Sequence, residues 1–429
     1  LPALSSDVKK AIRFKTGGFV VFISAIIAIA YVVVMQWRYD DGYGHYKVSE
    51  TPDWQKSDSV SYNGVRTAAC AWLWSRLGED RAWHSDNYAQ LRGGKALTSL
   101  SLLALMEDAR NPLSLRFREV LTQLRTWVAA DGSLGNDDPE LPEYPNYATS
   151  LALQCFVLAG DPQDKPLIAR MTKYLVDQQY CEATGFGPEH VCYGGWGFGG
   201  RRPVGGSPGH MDIGHTRHVL QALRAAGHDD SKTYARAERF LALLQKHPSE
   251  TRDQPQPEGS RTALNAKPPY DGGFYFSPIV LAANKGGTVE HAGQKYFASY
   301  ATCTCDGILA LLACGVPPTD ERIAAASQWL NDHPNIHEPE GVPKNTSENW
   351  RDSIQFYHYA VRAECYRALN WRGPWESDLK NGLRMEQRAD GSYVNRRGFL
   401  MKEDDPLLCT ALAVLALSYA DRTTTSISN

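Results

Sequence analysis

One short pattern returns along this chain: an aromatic–Leu pair, a Gln four residues beyond the Leu, and then a Gly–aromatic turn. It reads Tyr174-Leu175 with Gln179, leading to Gly194-Gly195-Trp196-Gly197-Phe198. It returns as Phe240-Leu241 with Gln245, leading to Gly272-Gly273-Phe274, and again as Leu383 with Gln387, leading to Gly391-Ser392-Tyr393. Echoes sit at Trp329-Leu330 and at Trp127 before Asp131-Gly132-Ser133. A pattern repeated at this scale means one supersecondary unit stacked several times, because a single unit cannot bury its own apolar face.

The segments between copies alternate in kind. Thr149–Gly160, His215–Gly227, Tyr300–Gly315, Phe356–Asn370 and Pro406–Ala420 are apolar or mixed on nearly every side, and Gly93–Ala109 is an earlier example. Lys165–Gln179, Lys232–Lys246 and Asp320–Asp332 are charged and one-sided. A helix that is apolar all round is enclosed by other helices, whereas a one-sided helix faces water. The strand signal is weak throughout. The alternation therefore predicts an all-α fold, an α/α toroid of about six helical hairpins whose inner helices line a barrel and whose outer helices shield it. The toroid is expected over 61–422, with a tail at 423–429. The Pro-rich stretch Thr251–Pro269 falls inside a repeat and is read as a rim insertion, and Gly286–Gln294 as a second, mobile rim loop.

Ahead of the toroid, Phe19–Met35 is almost wholly apolar, with Ser24 the clearly polar exception. Taken as 18–37, the stretch has the length of about 20 residues that a membrane span needs. Lys9, Lys10, Arg13 and Lys15 precede it, and Asp40 and Asp41 follow. That asymmetry predicts a single-pass anchor with a cytoplasmic tail at 1–17, a linker at 38–60 and the toroid on the extracytoplasmic side, periplasmic or lumenal. No small-x-small cleavage pattern follows the span. The chain carries a net charge of −3 with no basic–aromatic patch in its interior, so nucleic acid is not an expected partner. Of nine cysteines, Cys181 and Cys192 flank one loop and are the expected disulfide pair. The others on apolar helices read as small buried side chains.

The repeat resembles the QW motif of the terpenoid cyclase and protein prenyltransferase superfamily, over roughly Asn63–Ala420, and looks closest to proteins described as containing prenyltransferase/squalene oxidase repeats. The resemblance implies the α/α toroid. Physically, the Gln is expected to bond free N–H groups at a neighbouring helix start, and the aromatic to stack on the next repeat, which makes both structural residues. Where squalene-type cyclases carry Asp-x-Asp-Asp, this chain reads Cys303-Thr304-Cys305-Asp306, so the resemblance leaves Asp306 as the catalytic candidate and Cys305 in the proton donor's place. Asp212 is a second, differently placed acid. The prenyltransferase branch holds zinc with Asp, Cys and His, and the corresponding candidates are Cys305, Asp306 and His358. His210, Asp212, His215 and His218 form a denser group, readable as a metal site or as a helix cap with rim hydrogen bonds. The aromatics Trp196, Phe198, Phe274, Tyr275, Tyr300 and Tyr357 are the ligand-binding candidates.

Because the cyclase motif is not intact, the expected role is a binding or structural one without a required cofactor. The partners would be the membrane through 18–37, other subunits of a membrane complex, or an isoprenoid or other apolar ligand. The alternatives are an active isoprenoid-handling enzyme, and a polysaccharide-active barrel of the kind that uses paired carboxylates in an aromatic groove. A hollow apolar barrel would favour the ligand; a barrel plugged by bulky side chains would favour the subunit.

Overall fold

The computed structural model describes residues 62–108, 114–138, 140–201, 204–205, 209–257, 267–344 and 346–421. Residues 60–429 form one unit. The span expected at 18–37, its flanking tail and linker, and the stretch 423–429 lie outside the described residues. Among the described residues no helix is long and apolar enough to cross a membrane.

Among the described residues twelve principal helices follow in order: α1 (Tyr62–Ser75), α2 (Lys95–Asp108), α3 (Leu115–Trp127), α4 (Pro145–Ala159), α5 (Lys165–Asp177), α6 (Ile213–Ala225), α7 (Ser231–Leu244), α8 (Ala301–Cys314), α9 (Glu321–Asp332), α10 (Gln355–Ala368), α11 (Trp375–Glu386) and α12 (Pro406–Asp421). The even-numbered helices pack in a closed ring, α2 on α4, α4 on α6, and so on through α12, which returns to α2. Odd-numbered helices lie outside them. Four outer helices pack on the inner helix just before them, α3 on α2, α5 on α4, α7 on α6 and α9 on α8, while α11 packs on α12 and so does α1, which closes the circle with the two ends of the toroid. The α/α toroid expected from the alternation is the observed architecture.

Residue pattern explains which helix goes where. On α5 the buried residues are Leu167, Met171, Tyr174 and Leu175, a spacing that makes one face. On α4 burial runs nearly all round, from Pro145 to Ala159. Two outer helices, α7 and α9, begin on capping aspartates: Asp230 accepts from Lys232 N at 3.0 Å and Asp320 from Arg322 N at 2.9 Å. Left-handed Gly160 and Gly315 end α4 and α8.

The repeat residues join one hairpin to the next. Leu175, Leu241, Leu330 and Leu383 are fully buried, each contributing about 1.5–3 kcal/mol of transfer free energy. The glutamines act as donors, which corrects the expectation that they would accept from free N–H groups. Gln179 Nε2 donates to Gly194 O (3.0 Å) and Thr233 O (2.9 Å), Gln245 Nε2 to Gly272 O (2.9 Å) and Arg322 O (2.8 Å), and Gln387 Nε2 to Gly391 O (2.9 Å) and Val65 O (2.8 Å). Each amide thus ties its own turn to the next outer helix, and Gln387 does so across the ring closure. The turn positions require glycine twice over, because their backbone is left-handed and because that helix presses on them: a Cβ on Gly194 would stand 1.8 Å from Arg236 O, on Gly272 2.5 Å from Ala325 O, and on Gly391 2.7 Å from Ala68 O.

A further repeated bond fastens the turns inward. A threonine near the start of an inner helix accepts the turn residue's N–H: Thr98 from Trp83, Thr149 from Leu134, Thr216 from Trp196, Thr304 from Phe274 and Thr410 from Tyr393, at 2.9–3.2 Å. Trp83 Nε1 donates to Leu73 O at 2.7 Å, as Trp196 Nε1 does to Leu175 O. Trp72-Leu73 on α1 is therefore another copy, with Leu77 where the Gln would stand.

Two local expectations are corrected. Gly286–Gln294 is not a plain loop, because Thr288–His291 pairs antiparallel with Gln294–Phe297. The turn residues Ala292 and Gly293 both have positive φ (49° and 75°), as a two-residue hairpin requires. All nine cysteines are free thiols, so Cys181 and Cys192 form no disulfide. Cys192 Sγ instead faces His190 Nδ1 at 2.8 Å.

Candidate functional site

Residues from the first two turns of all six inner helices, with the loops that lead into them, line one cavity of about 320 Å³. Its walls differ in chemistry. Leu91, Ala96, Leu97 and Leu100 on the α2 side, with Leu408 and Leu412 on α12, make an aliphatic wall. His210, Asp212, His215, His218, Lys285, Asp306 and Tyr357 make the opposite one.

Most carboxylates here serve as helix caps. The N-terminal N–H groups of a helix lack intrahelical acceptors and carry partial positive charge, so buried acids there are stabilising. Glu143 accepts from Lys95 N at the start of α2 (2.9 Å), and Asp405 accepts from Leu407 N and Leu408 N at the start of α12 (2.9 and 3.2 Å). Glu403 takes the first N–H groups of α10, from Phe356 (2.9 Å) and Tyr357 (2.8 Å). Burial pushes Glu403 up to about 7 against those bonds and that of Asn395.

Asp212 caps α6 through Oδ1, which accepts from His215 N at 2.9 Å. Its Oδ2 lies 2.7 Å from His210 Nε2 and 2.8 Å from His215 Nδ1. Burial opposes ionisation of Asp212, but the two imidazoles outweigh it and hold the carboxyl well below the usual range. The cap and rim bonding expected for this group is present. His218 stands apart: its Nε2 faces Arg217 Nη2 at 3.0 Å, and burial together with that guanidinium keeps the ring neutral.

Asp306, on the second turn of α8, caps nothing. Its Oδ1 accepts from Arg217 Nε (3.0 Å) and Tyr357 OH (2.9 Å), and the residue lines the cavity. Burial pushes Asp306 up to about 6, with Arg217 and the Tyr357 hydroxyl pulling the other way. Arg217 is itself buried and is also held by Glu364 and Gln221, both at 2.9 Å. Gly214 leaves the space between the two acids: a Cβ there would be 3.3 Å from Asp212 Oδ1, 3.4 Å from Tyr357 OH and 3.9 Å from Asp306 Oδ2. Two carboxyls pushed in opposite directions about one small space can divide the roles of proton acceptor and proton donor.

Lys285 is a cavity residue that sequence reasoning missed. It is buried, with Nζ 4.0 Å from the Phe276 ring centroid and 4.8 Å from that of Trp350, and burial lowers its pKa. Its signal was hidden because Asn284-Lys285-Gly286-Gly287 reads as loop. Arg217, Glu403 and Tyr147 were likewise unmarked, since each lies outside the repeat pattern.

Of the expected aromatics, Phe198, Tyr300 and Tyr357 line the cavity. Trp196, Phe274 and Tyr275 do not: they are buried in the repeat junctions, with Trp196 donating to Leu175 O and Tyr275 to Leu243 O. The zinc set Cys305, Asp306 and His358 is not assembled either. Adjacent helical residues point about 100° apart, so while Asp306 meets Arg217, Cys305 faces Cys365 on α10. His358 meets Thr302 Oγ1 at 3.2 Å, and burial, reinforced by Arg362, holds its imidazole neutral.

No protein-family model matches the chain, and no curated protein matches it. Among solved structures, the type II terpene cyclase MstE from Scytonema is similar at 13 % identity over 84 % of this chain and 97 % of that one, with a TM-score of 0.48. An inactive variant of the α-1,6-mannanase GH76A of Salegentibacter, bound to α-1,6-mannotriose, is similar at 10 % identity over 84 % and 98 %, also with a TM-score of 0.48. A protein from Actinoplanes is similar at 13 % identity over 84 % and 100 %, with a TM-score of 0.44. Figures this low carry neither activity nor substrate to this chain.

Proposed function

We propose that the toroid binds an apolar, isoprenoid-sized ligand with a polar head, its chain against the leucines of α2 and α12 and its head among His215, Lys285 and Asp306. The observation behind this reading is the cavity itself. Its centre is open, and its volume falls near the lower end of the range usual for small-molecule sites. A purely structural subunit has no need of a hollow centre with one aliphatic and one ionisable wall. An anchor at 18–37 would hold the toroid at the membrane from which such a ligand comes.

Chemistry at the head would be proton exchange through Asp306. A carboxyl that releases its proton near neutral pH suits exchange with an oxygen or nitrogen function. It does not suit protonation of an alkene, which demands a far stronger acid. The aliphatic wall also disfavours a sugar chain, whose hydroxyls would lose water there without replacement partners.

Native mass spectrometry of the full chain taken gently from its own membrane, with lipid analysis of the same sample, tests this. One apolar molecule per chain is expected, with loss of it in Leu97→Trp or the milder Leu412→Phe, both of which fill the cavity. Protein partners in fixed ratio with no small molecule would return the chain to the accessory-subunit reading.

A further inference from the structure

We infer that His210, Asp212 and His215 form a site for one divalent first-row transition ion of the zinc class at the wall of the cavity. Among the described residues these are the His, Cys, Asp and Glu side chains whose donor atoms converge as a group of three, all within 4.8 Å of one another.

Each donor is oriented by something else. His210 stacks on Phe198, centroids 3.8 Å apart and planes at 15°. His215 sits on the first turn of α6 with its ring edge-on to Tyr147 at 6.1 Å. Asp212 is fixed through Oδ1 by the His215 backbone, which leaves Oδ2 as its ligand atom. Zinc bonds of about 2.0–2.2 Å separate tetrahedral ligands by roughly 3.3 Å. The two nitrogens now stand 2.7 and 2.8 Å from Oδ2, so admitting an ion opens each contact by about half an ångström.

Two imidazoles with a single carboxylate select zinc, iron(II) or cobalt over magnesium and calcium, which prefer all-oxygen shells. Three protein ligands leave a coordination position open, as in catalytic rather than structural sites. All three residues line the cavity, so that position faces whatever the cavity holds. His218 does not belong to the converging group, and its Nε2 faces the Arg217 guanidinium instead. The competing account is a hydrogen-bonded His–Asp–His array with no ion. The site stands independently of the apolar-ligand reading, since it needs only the three side chains.

The test uses the full chain, stripped with chelator under reducing conditions and dialysed against Zn²⁺, with metal counted per chain, followed by the optical spectrum of the Co²⁺ form. One Zn²⁺ per chain and a cobalt spectrum without thiolate-to-metal charge transfer are expected. The affinity should fall roughly tenfold or more in His210→Ala/His215→Ala, and also in Asp212→Asn, which keeps an oxygen to cap α6. If the double variant fails to fold, the Asn variant and the wild-type cobalt spectrum still decide. The proposal is overturned by a wild-type chain that takes up no zinc, by a folded variant that binds as tightly, or by a thiolate band that puts the metal on cysteines.

Discussion

Whether the repeat glutamines donate or accept is settled by replacing Gln179 in two ways. Its Nε2 is 3.0 Å from Gly194 O and 2.9 Å from Thr233 O, at 1 % exposure. Gln179→Ala removes both bonds and strands the buried Gly194 carbonyl, whereas Thr233 O keeps its place in the ladder of α7. At about 0.5–1.5 kcal/mol net per bond, plus part of the penalty for an unsatisfied group, the loss should be about 2–4 kcal/mol. Gln179→Glu keeps the shape but turns an acceptor toward two acceptors, so at pH 7 it should cost more than alanine. The introduced carboxyl is relieved only by taking up a proton, so its pKa rises on folding. A raised folded pKa means its contribution is most favourable below about 4.3 and is lost as pH rises through the folded value, at about 1.4 kcal/mol for each tenfold gain in proton affinity. Urea unfolding at pH 7 and pH 4.5 should therefore show the Glu variant's deficit shrinking on acidification, while that of the Ala variant holds. A Glu variant at least as stable as the Ala variant at pH 7 would refute the donor assignment and mean that the side chain receives N–H groups instead.

Other consequences follow from the same contacts. Alanine at the turn glycines should destabilise in the order Gly194, Gly272, Gly391, following clearances of 1.8, 2.5 and 2.7 Å, with Gly194→Ala costing roughly 3 kcal/mol or more. Alanine at Gly227, which has positive φ but open space, should cost only about 1 kcal/mol in thermal unfolding. Thr216→Val strands the Trp196 N–H and should cost about 1–3 kcal/mol. Glu403, pushed up to about 7, contributes stability that is complete below its ordinary 4.5 and lost as pH rises through 7, about 3 kcal/mol in all. Melting temperature should therefore fall across that window, and the fall should flatten in Glu403→Gln; an unchanged slope would place the titration elsewhere.

The sequence carried the toroid because its outer helices repeat a fixed contact. Leu175, Leu241, Leu330 and Leu383 recur at one buried position, so one-sided and all-round helices alternate legibly. The α1 copy was lost because Leu77 replaces the Gln, although Trp72-Leu73 remains. The threonine-to-turn bond escaped notice because a Thr in an apolar helix looks like any small residue until the turn's N–H is seen against it. For the site, Asp212, Asp306, Tyr300 and Tyr357 reached the cavity because they lie in the first two turns of inner helices or just before them, and Phe198 because it ends a repeat turn against Tyr144 and His210. Trp196, Phe274 and Tyr275 had the same composition signal but belong to the junctions. Lys285 depends on where a loop returns, which no local pattern encodes.

The mouth of a toroid of this kind poses its own interpretive problem. All six inner helices present their N-termini to one cavity, so acids gather there to satisfy free N–H groups whether or not chemistry takes place. Glu143, Asp212, Glu403 and Asp405 each make such a bond and are accounted for by the fold. Asp306 does not, and it is held instead by Arg217, a buried cation whose other carboxylate partner, Glu364, is on α10. A buried charge pair contributes little net stability, because desolvation offsets most of its attraction. The Arg217–Asp306 pair is therefore weak evidence of a stabilising role. Of the two, Asp306 lines the cavity, opposite the aliphatic wall and with Lys285 and the His210 and His215 imidazoles for company, and that placement is what the proposed role at the ligand's head rests on.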